Sequence, residues 1–230
     1  MKWQLHRLFK PFTGAMLNAV YMTRLSKWRK DTKVNGYNDW YCKKWDYNRR
    51  ENLYQALCDQ ENMHTEAIDY LEFGVSSGAS FKYWLNKNQN PASKFYGFDT
   101  FEGLPEDFGP FGKGSMANTI ESLEITDTRA IFYKGLFQDT LIPFLEQFPN
   151  DKRKLIHLDA DIFSATIYTL SQIHRFLKKG DIVMFDELAV PTHEFMALDI
   201  YNKSFYPEYE VIAAANNYMF VAIKMLRDGK

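Results

Sequence analysis

The chain of 230 residues suits one domain of ordinary size, and its 46% apolar and 17% aromatic residues can form a substantial core. It contains no apolar run long enough to cross a membrane, and its first residues lack the apolar centre of a signal peptide. Its two cysteines, Cys42 and Cys58, are too few for a disulfide framework, so we expect free thiols in a reducing cytoplasm.

Positive charge is concentrated in the first 50 residues, which contain 12 lysines and arginines but three acids. Apolar residues recur near helical spacing in this arm, with basic residues around them: Leu5, Leu8, Phe9, Phe12, Met16 and Val20, and Arg7, Lys10, Arg24 and Lys27. We predict that residues 1–47 form a basic amphipathic extension that packs on the domain or on a second subunit of a homo-oligomer. Peripheral contact with an anionic membrane, or with an anionic substrate, stays open. Nucleic acid is not expected as a partner, because nothing beyond residue 50 extends the basic stripe.

A glycine turn follows the first predicted helix, residues 48–66. An apolar run from Ile68 ends on Glu72, the chain turns through Gly74 and Gly78, and helical spacing resumes. Glycine tolerates positive φ and has no Cβ, so a ligand can lie on the backbone at the helix N-terminus. The G-x-x-x-G spacing fits a nucleoside such as S-adenosylmethionine better than a dinucleotide, which prefers G-x-G-x-x-G. A plain tight connection between strand and helix is the alternative.

A second apolar strand begins at Lys94 and ends on Asp99. This acid lies roughly 20 residues past the turn, the distance at which a βαβ unit places a carboxylate beside a ribose diol. Here the sequence Glu-Phe-Gly-Val-x-x-Gly, followed by Gly-Phe-Asp-Thr-Phe-Glu-Gly-Leu-Pro, resembles the macrocin O-methyltransferase family of class I S-adenosylmethionine-dependent methyltransferases. The resemblance covers about residues 48–225. Within this range, a Gly-x-Phe-x-Asp-Thr-Leu stretch near residue 137 also resembles the family.

The resemblance implies where the cofactor binds. Glu72 would meet the ammonium group of S-adenosylmethionine, and Phe101, beside Asp99, would face its adenine. The whole predicted cofactor site comprises Glu72, Phe73, Gly74, Ser76, Gly78, Ser80, Asp99, Thr100, Phe101 and Asp159. Residues 106–119 are rich in glycine and lack periodicity, so they form either a mobile lid over this site or a passive surface loop.

Two later strands each end on a pair of acids. Asp159 and Asp161 follow one apolar run, and Asp186 and Glu187 follow the next. Consecutive βα units give parallel and usually neighbouring strands, so these four carboxylates would crowd one edge of the sheet. A hard divalent cation such as Mg²⁺ relieves their repulsion. Helix N-caps or solvated turn residues are the alternative for any single acid.

The same two stretches also resemble the family. Leu-Asp-Ala-Asp-Ile-Phe-Ser-Ala-Thr is similar to its Asp-Gly-Asp-Leu-Tyr-Glu-Ser-Thr motif, and Phe-Asp-Glu to its Asp-Asp pair. The resemblance implies that Asp161, Asp186 and Glu187 bind Mg²⁺. Two residues depart from the pattern: Glu187 is one methylene longer than the usual aspartate, so it could act through water, and Phe163 replaces a tyrosine.

Methyl transfer to an alcohol requires a base that removes the hydroxyl proton. The resemblance assigns this role to Asp161, which would also be a metal ligand. His157 and His193 are alternative bases. His157 lies within a predicted buried strand and is otherwise a core residue, and His193 is otherwise the cap of the helix that follows it.

The chain ends with a predicted helix at 193–206 and two strands, 209–215 and 218–224, which meet at Asn216-Asn217. A terminal hairpin on a parallel sheet resembles the class I methyltransferase topology. We therefore predict an α/β, Rossmann-like class I methyltransferase fold over residues 48–230: a mostly parallel seven-stranded sheet with a C-terminal antiparallel hairpin and helices on both faces.

Three functions compete at this point. The first is an S-adenosylmethionine-dependent, Mg²⁺-dependent O-methyltransferase that acts on a hydroxyl of a sugar or sugar-bearing small molecule, where the substrate class comes from the resemblance alone. The second is a nicotinamide-dependent oxidoreductase, which the missing middle glycine disfavours. The third is a non-catalytic binding or membrane-surface protein that uses the basic arm, and the acids at both strand ends argue against it.

Overall fold

The computed structural model describes residue 7 and residues 9–230, so Leu5 and Leu8 of the predicted amphipathic arm lie outside the described residues. One mixed sheet of eight strands forms its centre: β1 Val34–Asn38, β2 Ile68–Phe73, β3 Lys94–Asp99, β4 Ala130–Lys134, β5 Arg153–Leu158, β6 Ile182–Phe185, β7 Tyr209–Ala215 and β8 Phe220–Met225. The strand order is β1-β7-β8-β6-β5-β2-β3-β4, and β8 runs antiparallel to both of its neighbours while the other pairs are parallel.

Helices cover both faces of the sheet. Their bounds are α1 Thr13–Asp31, α2 Arg49–Glu61, α3 Ala79–Lys87, α4 Phe137–Gln147, α5 Phe163–Ile173 and α6 Glu194–Phe205, with 3₁₀ turns at Lys10–Phe12, Glu121–Leu123 and His174–Phe176. Helices α1, α4, α5 and α6 pack on one face, and α2 and α3 on the other. The apolar side of each helix buries against alternate residues of the central strands, which makes two cores separated by the sheet.

The predicted Rossmann-like α/β fold, with a mostly parallel sheet, a C-terminal antiparallel hairpin and helices on both faces, is confirmed. The predicted number of seven strands is wrong, because β1 adds an eighth strand beside β7. The sequence of β1, Val-Asn-Gly-Tyr-Asn, is short, polar and interrupted by glycine, so it has the composition of a turn. Gly36 is needed there, since a Cβ at this position would lie 2.1 Å from the carbonyl oxygen of Ile212.

The basic arm divides into two parts. Residues 9–20 are exposed throughout, including Phe12 and Met16, whereas Tyr21 is buried and Trp28 packs against the core. The second half of α1 therefore lies on the domain, and β1, which also lies within residues 1–47, belongs to the sheet. No helix in the part of the chain that the structure describes is long and apolar enough to span a membrane.

The carboxyl ends of the parallel strands meet at one edge of the sheet. The loops after β2, β3, β5 and β6 all leave from this edge, and they contain every predicted cofactor, metal and catalytic position outside the strands except Ser80, which lies in the first turn of α3. Open α/β sheets bind ligands at this edge, because helix N-termini and short loops surround it. Both cysteines are buried and unpaired, as expected.

Candidate active site

A cavity of about 230 Å³ lies at the carboxyl edge, between the loops after β2, β3 and β5. Six predicted site residues line it: Gly74, Ser76, Asp99, Thr100, Asp159 and Asp161. The wall opposite them comes from Leu104 to Glu106, Met116 and the start of α4. Residues far apart in the sequence thus converge on one cavity, as the strand-end argument predicts.

The glycine turn brings two of these loops into contact. Gly74 has a φ of +95°, and a Cβ on it would lie 1.8 Å from the carbonyl oxygen of Asp159. The backbone of the β2 loop therefore lies directly against the β5 loop, and the amide of Asp159 donates to the carbonyl of Phe73 at 2.9 Å. Gly78, with a φ of +74°, caps α3. No larger residue fits at Gly74 without moving one loop.

Asp99 organises the floor of the cavity through backbone hydrogen bonds. Its Oδ2 accepts from the amide of Ser76 at 2.8 Å, and its Oδ1 accepts from the amide of Phe101 at 2.6 Å. Each carboxylate oxygen has two lone pairs, so both can still accept a hydrogen bond from a ligand. The carboxylate is therefore held by the two loops and remains available to a ribose diol.

Five predicted cofactor residues lie outside the cavity lining: Glu72, Phe73, Gly78, Ser80 and Phe101. Glu72 is fully buried, where its carboxylate accepts hydrogen bonds from Tyr70 and from Ser80 Oγ, the latter at 3.0 Å. Phe73 stacks on a phenylalanine of β3, and Phe101 packs edge-on against Phe132 in the core. These side chains pack beneath the residues that line the cavity. Their direct contact with a cofactor remains a prediction.

His157 is fully buried behind the acidic edge, where two carboxylates flank it. Its Nε2 lies 3.5 Å from Asp186 Oδ1, its Nδ1 lies 3.9 Å from Glu72 Oε2, and the hydroxyls of Tyr54 and Tyr70 are within hydrogen-bond distance. Burial lowers the pKa of His157, but the neighbouring carboxylates outweigh burial and raise it to about 10. An imidazolium has no free lone pair, so the structure gives His157 the role of a buried counter-ion.

Asp161 lines the cavity and has an unusual backbone conformation, with a φ of +61°. Burial raises its pKa to about 7, and the charges of Glu187, Asp186 and Asp99 add to the effect. Asp159 beside it has a pKa raised well above the ordinary value by burial and by Asp186. A carboxylate that titrates near neutrality is suited to accept a proton, and strained backbone is common at such sites.

His193 caps α6 and lies beside the segment after β3. Its ring packs edge-on against Phe108 at a centroid distance of 4.9 Å, and its Nδ1 is buried without a hydrogen-bond partner. Burial lowers its pKa, although Glu106 opposes this effect. His193 is therefore a neutral imidazole and keeps its place as an alternative base.

The segment that was expected to be a lid or a passive loop has internal structure. Leu104 and Gly114 pair through the backbone, and Phe108 and Phe111 form a further bridge. Its first residues, together with Met116, form one wall of the cavity.

Two residues that the sequence analysis missed contact the acidic pair after β6. The hydroxyl of Tyr47 donates to Glu187 Oε1 at 2.5 Å, and Arg50 Nη1 lies 3.6 Å from Asp186 Oδ2. Tyr47 lies just before α2, and Arg50 lies in its first turn. The signal available was the charge itself, because a cluster of buried acids requires cations nearby and the basic arm supplies them.

The predicted metal ligands suit a hard cation in their chemistry. Asp161, Asp186 and Glu187 offer carboxylate oxygens, and Oδ1 of Asp186 is buried without a hydrogen-bond partner. Among the described residues, the ligand atoms that lie within 4.8 Å of one another belong to His157, Asp159 and Asp186, which share only Asp186 with the predicted set. Mg²⁺ prefers oxygen ligands to an imidazole nitrogen, so the carboxylates are the donors that fit it.

Residues 71–188 match the family model for a methyltransferase domain, which covers about half of the chain. No curated protein matches the sequence. The matched region contains the glycine turn, Asp99, Asp161 and the acidic pair, so the model spans the cavity described above.

Solved structures share the fold. The O-methyltransferase NovP is 21% identical over 77% of this chain and 79% of its own, with a TM-score of 0.60. The calicheamicin methyltransferase CalS11 is 19% identical over 90% and 91%, with a TM-score of 0.57. An O-methyltransferase from Bacillus cereus in complex with SAH is 13% identical over 90% and 91%, with a TM-score of 0.50. At these identities the similarity shows a common fold.

Proposed function

This chain belongs to the family of proteins with a methyltransferase domain, and we propose that it transfers the methyl group of S-adenosylmethionine to a hydroxyl of a sugar or sugar-bearing small molecule. The observation that carries the proposal is the convergence of the glycine turn, Asp99 and Asp161 on one cavity. The cofactor-binding residues and a base for the acceptor then line the same cavity, so S-adenosylmethionine and the acceptor can bind there side by side. The macrocin O-methyltransferase family remains the subfamily that we propose, on the motifs quoted above.

The proposed reaction is a direct displacement at the methyl carbon of the cofactor. The acceptor oxygen attacks the methyl carbon in line, the carbon–sulfur bond breaks with its electron pair on sulfur, and S-adenosylhomocysteine leaves. The hydroxyl proton goes to a base, and Asp161 is the carboxylate in the cavity whose raised pKa suits it to that role. The loops hold the two reactants in one orientation, which lowers the entropic part of the barrier.

We propose Mg²⁺ as a second cofactor, held by Asp161, Asp186 and Glu187. Such an ion, when bound, lowers the pKa of an acceptor hydroxyl and orients it. Support comes from the oxygen-only donor set, in which Oδ1 of Asp186 is buried and has the ring of His157 3.5 Å away.

The sugar class of the acceptor rests on similarity. The family that the motifs resemble acts on glycosylated compounds, and the structure of CalS11 without ligand, which has a TM-score of 0.54 to this chain, is described as that of a TDP-rhamnose 3'-O-methyltransferase. We propose a small hydroxyl-bearing acceptor of this class, in the cytoplasm.

An oxidoreductase is the weaker alternative. Ser76 stands near the position where a dinucleotide turn has its middle glycine, and its amide donates to Asp99 instead of facing a ligand. A pyrophosphate therefore lacks one of the backbone donors that it needs at this turn.

Calorimetric titration tests the cofactor assignment. We expect S-adenosylhomocysteine to bind the purified chain with a dissociation constant in the micromolar range, NAD⁺ not to bind, and Asp99→Ala to weaken binding about 100-fold through loss of the ribose contacts. Asp107→Ala is the matched control, because Asp107 accepts a hydrogen bond within the neighbouring loop but does not line the cavity. Preference for NAD⁺ would reject the methyltransferase proposal.

A further inference from the structure

The contacts of Tyr47 and Arg50 with the acidic pair are unusual, because they engage two of the three carboxylates that we propose as metal ligands. Tyr47 donates to Glu187 Oε1, and Arg50 faces Asp186 Oδ2 at 3.6 Å. Each contact places a hydrogen-bond donor or a positive charge beside an oxygen atom that a cation would use. The second oxygen of Asp186, Oδ1, accepts no hydrogen bond within the usual distance, and His157 Nε2 lies 3.5 Å from it.

The backbone that carries these two side chains is fixed to the far end of the chain. The amide of Asp46 donates to Asn216 Oδ1 at 3.1 Å, and Cys42 exchanges two hydrogen bonds of 2.9 Å with the side chain of Asn217. The turn between β7 and β8 thus holds residues 42–46 at the acidic edge. Tyr47 and Arg50 therefore lie beside the carboxylates because the segment before them, residues 42–46, is fixed to this turn.

The side chains themselves have room to leave. The side chain of Arg50 is 25% exposed, and that of Asp186 only 4%. Tyr47 as a residue is 48% exposed, and its ring touches Phe220 at an edge. Rotation toward solvent would uncover the acids without disturbing the core.

We propose that Tyr47 and Arg50 form a clamp on Asp186 and Glu187, which a divalent cation must displace in order to bind. The inference rests on the metal ligands given under the proposed function and goes beyond them, because it assigns a role to residues outside the matched methyltransferase region. A guanidinium cannot lose its proton, so it and a divalent cation cannot share one carboxylate pair without strong repulsion. The apparent metal affinity is therefore reduced by the free energy of the closed clamp.

Two adjacent arginines provide a matched pair of variants. Arg50→Met removes the guanidinium that faces Asp186, whereas Arg49→Met removes an equal charge from the same helical turn, where it pairs with Asp39 at 2.9 Å. We expect Mn²⁺, followed by the electron paramagnetic resonance of the free ion, to bind Arg50→Met about tenfold more tightly than Arg49→Met. Tyr47→Phe should tighten binding about threefold, as expected for one hydrogen bond.

A second readout follows the clamp directly. With 3-fluorotyrosine incorporated, and the Tyr47 signal assigned by its absence in Tyr47→Phe, saturating Mg²⁺ should shift that fluorine resonance. Thermal unfolding and binding of S-adenosylhomocysteine report whether each variant is folded.

The outcomes separate the clamp from the methyltransferase proposal. Equal Mn²⁺ affinity in Arg49→Met and Arg50→Met, with both variants folded, overturns the clamp and leaves the metal site intact. No Mn²⁺ binding by the wild type or by any variant overturns the clamp and the metal site together, while retained S-adenosylhomocysteine binding keeps the methyltransferase assignment. Binding by Arg50→Met alone supports the clamp in its strongest form.

Discussion

Gly74 is the residue on which the shape of the cavity depends most directly. Its positive φ and its contact with the carbonyl of Asp159 both require the absence of a Cβ. We expect Gly74→Ala to lower the free energy of unfolding by about 3 kcal/mol or more, because backbone strain and a clash act together. Chemical denaturation measures this change.

Gly109 provides the control for this substitution. Its φ is also positive, at +54°, but nothing lies within 4 Å of a Cβ built there. Gly109→Ala should therefore cost only the conformational penalty, about 1 kcal/mol. Equal losses in the two variants would show that the contact between the β2 and β5 loops contributes nothing.

Asp161 is the residue that we expect to accept the acceptor proton. Asp161→Asn should lower kcat by at least about 100-fold while S-adenosylhomocysteine binds nearly as before, because an amide cannot take the proton but fills the same space. In the wild type, the acidic limb of the pH–rate profile is expected at or below pH 7, since the pKa of Asp161 is about 7 and a bound cation would lower it. Full activity in Asp161→Asn would show that Asp161 is not the base, and His193 would then be the candidate base.

At the scale of elements, a buried ion pair joins the two central strands at the end opposite the cavity. Lys154 at the start of β5 lies 2.8 Å from Asp181 just before β6, and their side chains are 2% and 1% exposed. Burial raises the pKa of Asp181, and Lys154 lowers it. Loss of one partner leaves a buried charge without compensation.

We expect Lys154→Met to lower the free energy of unfolding by about 3–5 kcal/mol, as measured in urea. Lys203→Met is the comparison, because Lys203 pairs with Asp199 on an exposed face of α6 and should cost less than about 1 kcal/mol. A small effect at Lys154 would mean that water or Asn150, 2.6 Å from its ammonium, compensates for the loss.

The sequence predicts the strands of this protein well where a strand is buried, because burial requires an apolar run that can be seen in the sequence. β2, β3, β5 and β6 are apolar runs that end on acids or glycine, and the parallel-sheet rules bring those ends together without further information. β1 was missed because an edge strand needs only backbone pairing, so its side chains carry no apolar alternation. The terminal hairpin was found from the Asn216-Asn217 turn.

The candidate site was predictable in its acids but not in its cations. Asp99, Asp161 and the pair after β6 follow from strand ends, whereas Tyr47 and Arg50 reach them through a tertiary contact with the turn between β7 and β8. His157 was open as a base, and only the structure places it in the buried space between two carboxylates, which raise its pKa. Charge balance in a buried site depends on distances, which a sequence does not contain.

At the scale of the whole molecule, residues 9–20, which comprise a 3₁₀ turn and the first half of α1, are exposed on every side. Phe9, Phe12, Met16 and Val20 are each more than 45% exposed, and the described part of the arm carries no acid before Asp31. Such a surface is stabilised when it is covered, and the open possibilities are a second subunit and an anionic membrane.

We expect the full chain to self-associate through this segment and a variant lacking residues 1–20 to be a smaller species, as measured by light scattering after gel filtration. Replacement of Phe12 and Met16 together by serine should have the same effect, because it removes apolar surface but keeps the charge. Unchanged size, with co-sedimentation of the full chain on anionic but not neutral vesicles, would favour the membrane instead.

The pairing of β1 with β7 also determines the order in which this chain can assemble. Asp39, just after β1, accepts a hydrogen bond from Asn216, which lies 177 residues further along the sequence. During synthesis β1 emerges well before its partners on β7 and the following turn. The cofactor cavity, built from β2 to β5, can therefore form on the ribosome before Tyr47 and Arg50 reach the acidic edge, so a nascent methyltransferase domain would meet divalent cations with its carboxylates still uncovered.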